Sequence, residues 1–179
     1  MLQKCSIWKV AKVFFDEPTR PHYLIEISRK SGLAHTSVAA LLNELLSAGI
    51  IKKTTEKRGK RRFPIYTADI DRQEYKASKR LHNLAAIEQS GLLDAIRNES
   101  HPKAITLFGS YSRGEDLEES DIDIFIEGRP SQTSLERYER ILHRKIQAHY
   151  RSHFKDISHE LKNSIINGWT LRGYLEWEK

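Results

Sequence analysis

The stretch GSYSRGEDLEESDID, residues 109–123, combines a Gly-Ser turn with two aspartates one residue apart. It is the part of the chain that decides the predicted fold of the C-terminal half. The run KAITLF before it, residues 103–108, is typical of a strand. After it, Ile122, Ile124 and Ile126 alternate with other residues, which predicts a second strand with one apolar face.

The two aspartates of this stretch predict a metal site. Asp121 and Asp123 are expected to share the face opposite the isoleucines, because side chains alternate across a strand. Two neighbouring carboxylates repel each other unless a cation lies between them, and Mg²⁺ binds one or two carboxylates together with substrate phosphates. Gly109 allows a phosphate to approach the main chain, and Ser110 supplies a hydroxyl where a helix begins. We therefore expect Mg²⁺ or Mn²⁺ and a nucleoside triphosphate as ligands.

With these residues the stretch resembles the minimal nucleotidyltransferases of the polymerase-beta superfamily, over about residues 102–179. The family signature is a Gly-Ser, a second Gly and Asp-x-Asp, and the matching residues are Gly109, Ser110, Gly114, Ser120, Asp121 and Asp123. The resemblance implies that Gly109 and Ser110 hold the phosphates. It also implies that metal on Asp121 and Asp123 stabilises the attacking and leaving oxygens of an in-line displacement. An acidic turn before an ordinary strand is the alternative interpretation.

The chain departs from the family pattern at a third carboxylate, which the family supplies from a neighbouring strand. The strand expected there, residues 145–154 with sequence KIQAHYRSHF, contains no acidic residue. The candidate replacements are His149 and Arg151 within it, Glu127 on the face of Asp123, and Asp156 just past the strand. His149 could act as a base or a ligand, or be solvated only. Transfer activity therefore stays open at this point.

Composition favours two small domains. Hydrophobic residues make up 39% of the 179 residues, which is ample for packed cores. No run of 18 apolar residues and no signal-type start is present, so we expect a cytoplasmic protein without a membrane partner. The single cysteine, Cys5, cannot form an internal disulfide.

The positive charge is concentrated in the N-terminal part. Residues 1–70 hold 13 Lys and Arg against 6 Asp and Glu, whereas residues 71–179 hold 17 against 18. A domain with such an excess of cations is a candidate for binding phosphate backbones, because neutralised phosphates release their counterions.

Helical spacing of apolar residues predicts helices over residues 4–15 and 22–30. A third helix is expected to be capped by Thr36 or Ser37 and to stop at Ala48-Gly49. Strands over residues 50–56 and 63–67 are expected to flank a basic turn, residues 57–62.

This order resembles a winged helix-turn-helix domain over residues 4–69, carried by LLNELLSAGIIKK, the basic hairpin and IYTAD. The resemblance implies double-stranded DNA as a partner. Residues implied to face the major groove are His35, Thr36, Ser37 and Asn43, and residues implied to meet phosphates or a minor groove are Lys57, Arg58, Lys60, Arg61 and Arg62. A solvated hairpin tip and a protein-binding module are the alternatives.

The predicted organisation is α/β (α+β): a winged helix-turn-helix over residues 1–69, a helical connector over 70–100 with a break at Ser90-Gly91, and a nucleotidyltransferase-like mixed sheet with flanking helices over 101–179. Pairing of the connector with a second copy would give a homodimer suited to a palindromic site. The predicted function is a DNA-binding transcriptional regulator that binds a nucleotide and transfers a nucleotidyl group. The alternatives are a non-enzymatic regulator, with the degenerate domain used for sensing or dimerisation, and an antitoxin-like enzyme that modifies a partner of the HEPN type, which only the family resemblance implies.

Overall fold

The structure is a computed structural model that describes residues 5–130 and 133–176. Its residues form two compact units, Met1–His82 and Asn83–Lys179. The boundary falls within one long helix, inside the stretch 70–100 predicted to be helical. None of the helices among the described residues is long and apolar enough to cross a membrane.

The first unit is helical with one β-hairpin. Its elements are α1 (Ser6–Asp16), α2 (Leu24–Ser31), α3 (His35–Ser47), β1 (Ile51–Arg58), β2 (Arg61–Ala68) and the first part of α4 (Gln73–Ser90). Fully buried side chains from all three short helices, including Phe14, Ile27 and Leu42, form its core. The Tyr75 hydroxyl of α4 donates a hydrogen bond to the Phe14 carbonyl at 3.1 Å, which attaches α4 to this core.

Two boundaries in this unit differ from the prediction. Helix α2 begins at Leu24 rather than at residue 22, because His22 pairs with Tyr66 as an isolated antiparallel bridge beside the hairpin. Helix α3 begins at His35 after Ala34, which makes no side-chain cap. The expected cap at Thr36 or Ser37 is therefore wrong.

The basic turn is shorter than predicted. Strands β1 and β2 pair from Ile51 with Ala68 to Arg58 with Arg61, so only Gly59 and Lys60 form the loop. Two-residue loops are the tightest connection of an antiparallel hairpin. Long cationic side chains extend from either face into water, so they do not oppose pairing to the tip.

The second unit contains a four-stranded mixed sheet. Its elements after α4 are α5 (Leu92–Ser100), β3 (Ala104–Phe108), α6 (Gly109–Arg113), β4 (Ile122–Glu127), α7 (Glu136–Leu142), β5 (Ile146–Arg151), a 3₁₀ turn (Phe154–Asp156), α8 (His159–Ile166) and β6 (Trp169–Gly173). The strand order is β5-β4-β3-β6. Strand β3 is antiparallel to both β4 and β6, and β4 is parallel to β5. The predicted α+β class is confirmed, as is the helix break at Gly91.

Alternation along β4 separates two apolar clusters on the two faces of the sheet. Ile122, Ile124 and Ile126 pack with helix α5 on one face. Phe125 packs with Phe108 and other apolar side chains on the opposite face. Asp123 shares the face of Phe125, so the predicted separation of carboxylate and isoleucines is confirmed by the packing.

A buried polar network joins α4 to the segment after α6. Asn83 donates one hydrogen bond to the Tyr111 carbonyl at 2.9 Å and another to the Asp116 carboxylate at 2.7 Å. The Arg144 guanidinium lies 3.9 Å from the same carboxylate. Because buried carboxylates are costly unless they are paired, this network holds in place the loop that leads to Asp121.

Candidate functional site

The carboxylate pair lies at the N-terminal end of β4. Asp121 immediately precedes the strand and Asp123 is its second residue, with 26% of its side chain exposed. Strand β3 places Phe108 opposite Asp123, and Gly109 follows Phe108 directly. The tight turn from β3 into α6 therefore stands against the Asp123 side chain.

Gly109 is required by this packing. Its φ is +73°, and a Cβ at this position would lie 2.3 Å from Asp123 Oδ2. Left-handed backbone is unfavourable for residues with a Cβ, and a contact of that length is far inside van der Waals distance. Glycine thus allows the Asp123 carboxylate to approach the main chain at the start of α6.

The other signature residues have separate local roles. Ser110 is half-buried in the first turn of α6, and its carbonyl accepts a hydrogen bond from the Glu115 amide at 3.0 Å. Ser120 accepts a hydrogen bond from the Leu117 amide at 2.9 Å, which shapes the loop before Asp121. Gly114 ends α6. The structure brings Gly109, Ser110 and the carboxylate pair to one end of the sheet.

Strand β5 supplies the neighbours of the carboxylate pair. The parallel register places Gln147 beside Asp123 and His149 beside Phe125. Gln147 Nε2 donates to Asp121 Oδ2 at 2.5 Å, and His149 Nε2 lies 3.8 Å from Asp123 Oδ1. An amide and an imidazole of β5 therefore neighbour the carboxylate pair. His149 was a candidate from the sequence, whereas Gln147 was missed.

The remaining candidates lie at the other end of the sheet. Glu127 is four residues along β4 from Asp123, which is about 13 Å of strand. It is buried and accepts the Phe154 amide at 3.1 Å. Arg151 pairs with Glu127 in the register, and Asp156 lies in the 3₁₀ turn beyond β5. Glu127, Arg151 and Asp156 are thus wrong as replacements for the third carboxylate.

The electrostatics of the pair favour a bound cation. Burial raises the pKa of Asp123 above its ordinary value, and the Asp121 charge acts in the same direction, whereas His149 and Arg113 lower it. A divalent cation beside the two carboxylates would remove their mutual repulsion and favour the ionised forms.

The residues fit a cation that keeps open coordination positions. Among residues 5–130 and 133–176, no group of three or more His, Cys, Asp or Glu side chains is arranged as a preformed metal site. Mg²⁺ is commonly bound by one or two carboxylates, several waters and the substrate phosphates. Asp121 and Asp123 match that pattern on this part of the fold.

A cavity of about 650 Å³ adjoins Asp121. The C-terminal end of α7 and the segment after it contribute cationic or titratable side chains, namely Arg140, His143, Arg144 and Lys145, and acidic side chains line the cavity as well. Its volume lies in the range of small-molecule sites. Five of the lining side chains are acidic, namely Glu118, Glu119, Asp121, Glu136 and Glu139. Lys145 pairs with Glu139, and Arg144 lies beside Asp116. The lining is therefore of mixed charge, and no signal in the sequence had indicated that these two segments meet.

The residues with a predicted DNA role occupy two places in the first unit. His35, Thr36 and Ser37 form the first turn of α3, and Asn43 lies two turns further along the helix. All four are exposed. They are thus available on the surface of α3, whereas its Val38, Leu42 and Leu45 are buried.

The hairpin tip is cationic on both faces. Lys57 pairs with Arg62 on one face, and Arg58 pairs with Arg61 on the other. Arg58 donates to Glu56 at 3.0 Å and lies over the Tyr23 ring at 5.0 Å from its centroid. Within the described part of the chain, Lys57, Lys60, Arg61 and Arg62 form no ion pair with a carboxylate.

Comparison with known proteins identifies a nucleotidyltransferase domain within the second unit. Residues 90–167 match the nucleotidyltransferase domain family. A segment of 32 residues is 56% identical to a protein of Methanocaldococcus jannaschii described as a "putative protein adenylyltransferase". That alignment covers 18% of this chain and 32% of the relative, so the chain spans about a third of its length. No solved structure matches the chain.

Proposed function

We propose that the nucleotidyltransferase domain of this chain transfers a nucleotidyl group from a nucleoside triphosphate to a hydroxyl group, and that its N-terminal unit binds double-stranded DNA. The observation that carries the first part is the close packing of Asp123 against Gly109, with Asp121 beside it. A phosphate that approaches Gly109 would then lie next to both carboxylates. This juxtaposition is what a phosphoryl-transfer site needs.

Each residue has a definite task in this reaction. Gly109 and Ser110 hold the phosphates. Mg²⁺ or Mn²⁺ held by Asp121 and Asp123 would polarise the phosphate oxygens and stabilise the developing charge. The acceptor oxygen forms a bond to the α-phosphorus, the bond to the β-phosphate oxygen breaks, and pyrophosphate leaves while the acceptor proton passes to solvent or a nearby base.

The relative from Methanocaldococcus jannaschii suggests the nucleotide and the acceptor. Its description names adenylyl transfer to a protein, so we propose ATP as donor and a protein hydroxyl as acceptor. A HEPN-type protein, implied by the family resemblance, is the first partner to test.

Transfer is tested with nucleoside triphosphates labelled at the α-phosphate, in the presence of Mg²⁺ or Mn²⁺. The double variant Asp121→Asn with Asp123→Asn keeps the shape of both side chains and removes both charges. We expect it to lose at least about a hundredfold in rate, in line with the removal of an electrostatic contact in a transition state. Asp156→Asn, at the other end of the sheet, is the matched control and should behave as the natural chain. Equal labelling by all three proteins would refute the assignment.

Three observations support DNA binding by the first unit. Three helices followed by a paired hairpin have the element order of a winged helix, with α3 in the place of the recognition helix. His35, Thr36, Ser37 and Asn43 are exposed on α3. Residues 1–70 also carry the excess of positive charge.

The hairpin is tested through the salt dependence of binding to a mixed-sequence duplex, followed by fluorescence anisotropy. Removing one cation that neutralises a phosphate reduces the slope of log affinity against log salt by about 0.9. The double variant Arg61→Gln with Arg62→Gln should therefore reduce the slope by about 2. The double variant Arg129→Gln with Arg137→Gln, at exposed positions of the second unit, is the charge-matched control. A slope that is unchanged in the hairpin variant would exclude these side chains from the interface.

We also propose a homodimer, with α4 as the pairing element. Within the connector, Leu92 and Ile96 are buried in the second unit, whereas Leu81 of α4 is 53% exposed. Light scattering of the natural chain and of Leu81→Lys would test this, because a charge at a pairing face should convert a dimer to a monomer. A natural chain that is monomeric at micromolar concentration would refute it.

The second candidate function is a nucleotide-responsive regulator without turnover. The observation in its favour is that β5 brings an amide, Gln147, and an imidazole, His149, to the aspartate pair, whereas the family resemblance implies a carboxylate from a neighbouring strand. ATP should then change DNA affinity, and this effect should disappear in the double Asn variant, while no label is transferred. Label transfer that depends on Asp121 and Asp123 would support an enzyme and exclude a regulator without turnover.

A further inference from the structure

The imidazole of His149, beside the carboxylate pair, affects which metal ion the site prefers. We infer that His149 is the third protein ligand of the metal site, and that this site prefers a first-row transition metal ion such as Mn²⁺ to Mg²⁺. The inference rests on the proposed function for its metal, and it goes beyond that function in assigning the ligand and the selectivity.

His149 of β5 is positioned for this role by a contact across β4 with a residue of β3. Its side chain is 32% exposed, and its ring lies against Phe108, with centroids 5.4 Å apart and planes inclined by 55°. Phe108 is itself buried and directly precedes Gly109. The contact therefore orients the imidazole from the same turn that receives the Asp123 carboxylate.

The distance is close to that between ligands of one ion. His149 Nε2 lies 3.8 Å from Asp123 Oδ1. Neighbouring ligands at about 2.1 Å from an octahedral ion lie about 3 Å apart, so the two atoms need to approach by less than about 1 Å. Gln147 donates to Oδ2 of Asp121, which leaves Oδ1 to bind the ion. No three-ligand group stands preformed among the described residues, so binding needs the approach of these side chains.

The donor type of the site favours a transition metal ion over Mg²⁺. Both ions are divalent, so the two aspartate charges attract them alike, and the discrimination comes from the His149 nitrogen. Mg²⁺ is a hard ion that depends on oxygen ligands. Imidazole nitrogen suits transition metals, and affinity in a mixed site rises along the series that begins with Mn²⁺. Replacing a carboxylate with His149 thus shifts the selectivity away from Mg²⁺.

The test measures binding of Mn²⁺ alone and its displacement by Mg²⁺, using the electron paramagnetic resonance signal of the free ion. His149→Asp restores the missing carboxylate, and we expect it to lower the ratio of Mn²⁺ to Mg²⁺ affinity by about tenfold or more. His149→Ala should weaken Mn²⁺ binding by about 10- to 100-fold. His153→Ala, on an exposed residue just beyond the same strand, is the matched control and should bind as the natural chain does.

Spin-echo modulation of bound Mn²⁺ supplies an independent readout. Coupling to an imidazole nitrogen is expected in the natural chain and in His153→Ala, and it should be absent in His149→Asp. The aspartate variant keeps a metal ligand, so it remains informative where the alanine variant fails to fold by circular dichroism.

The outcomes separate this inference from the function on which it rests. Mn²⁺ binding without nitrogen coupling, or with the same affinity ratio in His149→Asp, would overturn the role of His149 and leave the carboxylate site intact. Failure of the natural chain to bind Mn²⁺ either alone or with a non-hydrolysable ATP analogue would overturn both.

Discussion

Replacing Gly109 with alanine should disable the carboxylate site far more than it destabilises the fold. The residue has φ +73°, and an alanine Cβ would lie 2.3 Å from Asp123 Oδ2 and 3.1 Å from its Cγ. Left-handed backbone costs a residue with a Cβ about 1–2 kcal/mol. Because ordinary contacts begin near 3.4 Å, the Oδ2 atom must move by about 1 Å to relieve the clash.

A displacement of that size has a large effect at a reacting centre. Misplacing a group by about 1 Å can cost about a hundredfold in rate, which corresponds to about 2.7 kcal/mol of transition-state stabilisation. We expect Gly109→Ala to lose about this factor in nucleotidyl transfer and to bind Mn²⁺ more weakly. Its free energy of unfolding should fall by only about 1–2 kcal/mol. The assays are label transfer, Mn²⁺ titration and urea unfolding.

Gly91→Ala is the matched control within the same unit. Gly91 has φ +80°, and a Cβ there would meet no atom within 4 Å. This variant therefore carries the same backbone cost without the contact to Asp123. It should lose similar stability and retain Mn²⁺ binding and transfer. Equal loss of binding in both variants would refute the idea that the close approach of Gly109 to Asp123 forms the site.

Three further predictions concern stability. Burial lowers the pKa of His22. Its contribution to stability is therefore fully present above the unfolded pKa of about 6.5, and it is lost as the pH falls through the lower folded pKa. His22→Gln should flatten the pH dependence of the melting temperature between pH 8 and 5, whereas exposed His35→Gln should not. Asn83→Ala removes the donor to two buried acceptors, so its free energy of unfolding in urea should fall by about 2–4 kcal/mol. The exposed control Asn98→Ala should lose less than about 0.5 kcal/mol. Equal losses in the two variants would show that the Asn83 network does not stabilise the fold. Phe125→Ala, at a fully buried position, should cost about 3–5 kcal/mol, and a decrease below about 1 kcal/mol would contradict the packing of that face.

Local patterns predicted much of the secondary structure. The alternation of isoleucines placed Asp123 on the face opposite to them, since the two-residue period of a strand depends on backbone geometry alone. Ser90 and Gly91 predicted the break between α4 and α5, because a Ser-Gly pair favours a turn over a continuing helix. The predicted cap of α3 was wrong because water can satisfy the free amides of an exposed first turn without a side-chain cap.

Contacts between strands were harder to predict from the sequence. Glu127 shares a face with Asp123, and alternation could not exclude it, because a shared face says nothing about distance along the strand. Gln147 was missed because only the parallel register of β4 and β5 brings it to Asp121. The cavity of mixed charge beside Asp121 was missed because its lining comes from two segments, residues 118–121 and 136–145, that are far apart in the chain.

The sequence alone determined which chemical groups are available: the Gly-Ser turn, the aspartate pair, the basic hairpin and a β5 strand without an acidic residue. These follow from residue types and short periods, which the covalent chain carries without its tertiary contacts. The tertiary structure decided which groups meet. It brought His149 and Gln147 to the carboxylates and sent Glu127 and Asp156 to the opposite end of the sheet, because strand direction and register are set by long-range pairing.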